Sequence, residues 1–196
     1  MRAIGSPDRA TRLAQVRTFA RCQVWSGYRS DAQVRADVYE AALAEEGDAG
    51  RAAALTDELV ADARDELAAA CVGWTSPDSF GRLQQAIAQL RANGVVVLEA
   101  IDDHWTASAT LERLASAGLV PAGIAYFTLP DVWHAVEHGM LEINVWHADT
   151  ANTAPGDALL DLVLQTLRDN DIAAVFDEGR IEATLAWERT PDDDAG

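Results

Sequence analysis

Residues 121–149 read PAGIAYFTLPDVWHAVEHGMLEINVWHAD, and the fold follows from how this stretch is divided. The run AGIAYFTL is almost wholly apolar and of strand length. Pro130 ends it, and Asp131 is placed to cap the short helix VWHAVEH, which Gly139 stops. The connection to the next strand, MLEINVWH, is therefore compact. Strand alternation puts Leu141, Ile143, Val145 and His147 on one face and Glu142, Asn144 and Trp146 on the other. One face is core and the other is mixed.

Upstream, TSPDSFGRLQQAIAQLRANG predicts a helix with Ser76 as N-cap and Pro77 as first helical residue. Phe80, Leu83, Ile87 and Leu90 form its stripe, and Asn93-Gly94 supplies the stop. The β-branched run VVVLEAI that follows reads as a strand covered on both faces. Thr106 then caps a helix containing Leu111 and Leu114 and closed by Gly118. Downstream, a helix from about Pro155 to Asn170 carries Leu159, Leu160, Val163, Leu164 and Leu167. A hairpin closes the sheet: IAAVFDE, a turn at Gly179, then RIEATLAWE, where Ile181, Ala183, Leu185 and Trp187 alternate with other residues.

Three amphipathic helices precede all of this, from Asp8 to about Trp25, from the Ser30 cap to Gly47, and from about Arg51 to Val72. The predicted class is α+β (mixed α/β), a sheet of about five strands with interspersed helices behind an N-terminal helical region. The expected domains are residues 1–73, helical, and 74–190, α+β, with a disordered acidic tail at 191–196. GWTSP, residues 73–77, is the boundary.

Composition excludes several activities. The formal charge of −17 disfavours nucleic acid and anionic membrane surfaces, which are bound through clustered Lys and Arg. The chain has no lysine, so a P-loop lysine, Schiff-base chemistry and a lysine general base are absent. No apolar run is long enough for a membrane span. The N-terminal residues lack the pattern of a signal peptide, and Cys22 and Cys71 have no paired spacing, so a soluble cytoplasmic protein is expected. Residues 1–35 hold seven arginines against two aspartates, a net of +5 in a very acidic chain. The first helix is expected either to dock on the acidic body of its own chain or of a partner subunit, giving a homodimer, or to present a solvated arginine face.

From about Trp74 onward, the Phe80 to Gly94 helix entering VVVLEAI, the pair Tyr126-Phe127 with Asp131 a short turn later, AVEHGMLEINVW and IAAVFDEGRIEATLAWER carry a resemblance. This part of the chain, roughly residues 74–190, resembles a family of small bacterial proteins classed only as a domain of unknown function. Members have a cysteine-rich stretch after the first strand and a His-Gln-Gln-Asp string before the short helix. Here those regions read Ala100-Ile101-Asp102-Asp103-His104 and Thr128-Leu129-Pro130-Asp131. The resemblance implies the fold and carries no activity across.

Three groups of residues have chemical potential. His134 and His138 are four apart on a helix and project from one face, as metal ligands require, with His147 and Asp149 at the following strand end as further donors. The alternative is that His138 interacts with the helix-end carbonyls and Asp131 serves as a cap. Glu99, Asp102 and Asp103 beside His104 and Trp105 follow a strand, the position where α/β proteins place binding groups. Read otherwise, they are a polar loop on an acidic protein. Glu142, Asn144 and Trp146 form the mixed face, which suits a ligand or protein surface, as do Trp105, Trp133 and Trp187 unless they belong to the core. No nucleophile elbow or dinucleotide fingerprint occurs, no catalytic residue is assigned and no cofactor is expected. The leading expectation is a non-enzymatic module that binds a protein or small ligand. Its rival is a hydrolase-like metal enzyme using His134, His138 and His147.

Overall fold

The computed structural model describes residues 8–75 and 78–190. They divide into two compact units, one reaching to Trp74 and including Thr190, the other running from Thr75 to Arg189. The expected tail at 191–196 lies outside the described residues, as do Ser76 and Pro77.

In the first unit, α1 (Arg9–Ser26), α2 (Asp31–Glu46) and α3 (Ala49–Cys71) pack on one another. Each begins at a polar cap, Asp8, Ser30 and Asp48, whose side chain accepts an N–H of the first turn and so satisfies a donor the helix itself leaves unpaired. Val16, Ala20, Val34, Val38, Ala42, Ala52, Leu59 and Val60 form the shared core. The α1 arginines pair across it with α2 and α3: Arg9 with Glu46 (2.5 Å), Arg12 with Glu45 (2.6 Å), Arg17 with Asp62 (3.0 Å) and Arg21 with Glu66 (3.5 Å). The acidic surface on which this helix docks is thus within its own chain.

The second unit comprises α4 (Ser79–Ala92), β1 (Val95–Ile101), α5 (His104–Ser116), β2 (Gly123–Thr128), α6 (Leu129–His138), β3 (Met140–Trp146), α7 (Ala158–Asp169), β4 (Ala173–Asp177) and β5 (Arg180–Thr184). Its five strands form one mixed sheet in the order β1-β2-β3-β5-β4, with β1 and β2 parallel and the other pairs antiparallel. The predicted fold class is what the chain adopts.

The structure assigns the helix caps differently at several points. The described part of helix α4 begins at an Asp78 cap, whose side chain accepts from the Gly81 N–H. Asp103, not Thr106, caps α5, with Thr106 donating to it. Thr128, not Asp131, caps α6, and Asp131 is the reciprocal partner of a capping box, with Pro130 in the first turn. Strand β1 is an edge strand with helices on both of its faces: Val95 and Val97 are buried on the side where α4 packs, and Val96, Leu98 and Ile101 pack against the α5 side.

Register and alternation assign the two faces of the sheet. Ala125 and Phe127 of β2, Leu141, Ile143 and Val145 of β3, and Ile181 and Ala183 of β5 are all buried. Helices α4 and α7 pack on each other and on the edges of the sheet. Gly123 shares this side: a Cβ there would lie 2.3 Å from Leu159 Cδ2 and 2.6 Å from the Trp146 carbonyl oxygen, so α7 and β3 close over a position that admits no side chain. On the other face, α5 covers β1 and β2 through Ala107 and Leu111, which pack with Ile124 and Tyr126. Beyond α5 this second face carries Glu142, Asn144 and Trp146 of β3, all half-buried.

Candidate functional site on the mixed sheet face

The second face is built from β2, β3 and β5. Tyr126 lies opposite Asn144, and Ile124 opposite Trp146, so their side chains stand on one side of the sheet. The Tyr126 ring meets Trp146 edge-on at 4.9 Å, and His104, at the start of α5, meets Trp146 edge-on at 6.4 Å and Trp105 at 4.5 Å. His104 is exposed and Trp105 is 68% exposed. An aromatic wall therefore runs from the buried phenol outward to solvent.

Carboxylates adjoin that wall. Asp131 Oδ2 accepts from the Thr128 N–H and from the Thr128 hydroxyl, both at 2.7 Å. Glu142 Oε2 accepts from Arg180 Nη1. Burial pushes the Asp131 carboxyl above the ordinary carboxylate range; the negative charge of Glu142 adds to this, while the Thr128 donors and Arg180 oppose it. Burial, reinforced by the charge of Asp131, raises the Tyr126 phenol to about 12, so Tyr126 is a neutral O–H at physiological pH. Two carboxylates thus face one arginine beside the aromatic rings.

Of the residues expected from the sequence, Asp131, Glu142, Asn144, Trp146 and His104 belong to this arrangement. Tyr126 and Arg180 join it although the sequence reading assigned neither a site role. The signal for Arg180 was present: it opens β5 two residues before Glu182, which pairs with Glu142, so alternation places it on the mixed face.

Other expected groups are not brought together. The acidic cluster separates: Glu99 accepts from Gln84 (2.7 Å) and Arg91 (2.9 Å) of α4, Asp103 caps α5, and Asp102 lies exposed in the bend before it. Ala100 adopts φ +48° where the β1 register shifts between Leu98 and Ile101, a bulge that turns the following residues away from the strand direction.

His134 and His138 are adjacent, with ring centroids 4.7 Å apart. His147 does not complete them. Its Nε2 is 3.0 Å from Asp157 Oδ2, and among the described residues no group of three or more His, Cys, Asp or Glu side chains is arranged to hold a metal ion. The three-histidine set is thus corrected to a pair, because the turn after β3 directs His147 toward the start of α7. Asp149 accepts from the Ala151 N–H at 3.1 Å in that same turn. Of the tryptophans, Trp187 is core, edge-on to Phe80 at 5.3 Å, and Trp133 is half-buried.

Fold and face together define an α+β protein with a helical N-terminal unit and an aromatic, acidic sheet surface. A family model covers residues 9–191, and the chain belongs to that family, described as Domain of unknown function (DUF6891). The match takes in the helical unit as well as the sheet. No curated protein and no solved structure matches the chain.

Proposed function

We propose that the protein is a non-enzymatic binding module of the cytoplasm whose mixed sheet face receives a cationic group, such as an amine or guanidinium, on a small ligand or a protein segment. The observation that carries this reading is the juxtaposition of Tyr126, Trp146 and His104 with Asp131 and Glu142, which have Arg180 as their shared cationic neighbour. Charge attracts the ligand and the rings orient it; such contacts contribute on the order of 0.5–2 kcal/mol each. A chain of net charge −17 also steers cations toward it over a longer range. No helix of the described residues is long and apolar enough to cross a membrane.

Titration with agmatine and with a short arginine-containing peptide, followed by the indole N–H resonances of the tryptophans, tests the reading. Trp146 is expected to respond to both cations and not to acetate, the response is expected to weaken in E142Q, and in W146A the cation-dependent shift of the neighbouring Trp105 indole is expected to be lost. A Trp146 signal that ignores both cations at millimolar concentration, or equal binding by W146A, refutes the proposal.

A further inference from the structure

Helix α6 carries a second arrangement, made of residues other than those assigned to that face. His134 and His138 lie one turn apart, and Gly139 closes the helix in a left-handed conformation, φ +70°, so the pair stands at the C-terminal end, where the helix dipole favours a positive charge. For a metal–nitrogen bond of roughly 2.1 Å and a ring radius of about 1.1 Å, two imidazoles on one tetrahedral ion have centroids about 5 Å apart. The observed separation is 4.7 Å, with the planes inclined at 62°. His134 Nδ1 is moreover buried without a hydrogen-bond partner, and a buried polar atom left in that state costs roughly 1–3 kcal/mol. A bound cation is one means of satisfying it. His138 is exposed, so its ring is free to turn toward an ion arriving from solvent.

We infer that His134 and His138 form a two-imidazole chelate for one late transition-metal dication, of the zinc, nickel and copper group, with its remaining coordination positions open to water or an added ligand. Imidazole nitrogen selects these ions, whereas magnesium and calcium take oxygen donors. The distinction matters in a chain this acidic, which attracts any dication diffusely.

The full chain, without a histidine tag and stripped of metal by a chelator, is titrated calorimetrically with Zn²⁺ in excess Mg²⁺, which occupies the diffuse carboxylate sites. One Zn²⁺ per chain is expected, with affinity at least tenfold lower in H138A, no saturable uptake in the H134A/H138A double variant, and no change in H147A. On the unmodified protein, ring-nitrogen resonances of His134 and His138 should shift with Zn²⁺ while those of His104 and His147 stay in place; this readout needs no variant to fold. Absence of saturable uptake, wild-type affinity in the double variant, or ring shifts confined to His104 or His147 overturns the inference.

Discussion

Asp131 takes part in both the capping of α6 and the electrostatics of the mixed face. Its folded-state pKa is raised above the ordinary 3.8, first by desolvation, so folding favours the protonated carboxyl. That contribution to stability is full below the ordinary value and is lost as pH rises through the folded-state value. Asp131→Asn keeps an oxygen that accepts from the Thr128 N–H and removes the desolvated charge. The variant is therefore expected to gain stability relative to wild type at pH 7, with the gain shrinking toward pH 4. Urea midpoints at the two pH values measure this, and a difference independent of pH would show that burial of the charge is not the governing effect. Tyr126, raised to about 12, stays neutral throughout that range.

Among the elements, α6 matters most, since it carries Asp131 at one end and the histidine pair at the other. Its ten residues are too few to be stable as an isolated helix; burial of Leu129, Val132 and Ala135 and the Thr128 capping box hold it. Thr128→Ala removes the hydroxyl that donates to Asp131 Oδ2 and receives the Asp131 N–H at 3.4 Å. The expected loss is about 1 kcal/mol, read from chemical denaturation, and an unchanged midpoint would mean that packing alone sets the start of α6. The helical pattern, Pro130 and Gly139 were legible in the sequence, whereas the identity of the cap was not. Thr128 ends β2 and caps α6 at once, and Thr and Asp are both favoured N-cap residues, Asp the more so, so composition points away from the cap that the structure uses.

At the scale of the whole molecule, acids outnumber arginines by 32 to 15. Repulsion among them opposes folding, while the ion pairs of α1 lie near the surface, where each contributes only about 0–1 kcal/mol. Raising salt screens both, and the excess of acid decides the balance: thermal denaturation is expected at higher temperature in 0.5 M than in about 0.01 M NaCl, where the Debye length is about 30 Å. A fall in the midpoint would mean that the ion pairs outweigh the repulsion. The sequence by itself determined the helices, the strands, the α+β class and the alternation that puts Glu142, Asn144 and Trp146 on one side of β3, since helical and strand periodicity are local properties of the backbone. Only the tertiary structure decided that β1 is an edge, that Glu99 is held by α4, that His147 turns to Asp157 instead of joining His134 and His138, and that Tyr126 and Arg180 complete the mixed face. Each of those outcomes depends on strand order, register and helix packing between residues far apart in the chain, and side-chain chemistry at a single position carries no record of which distant neighbour it will meet.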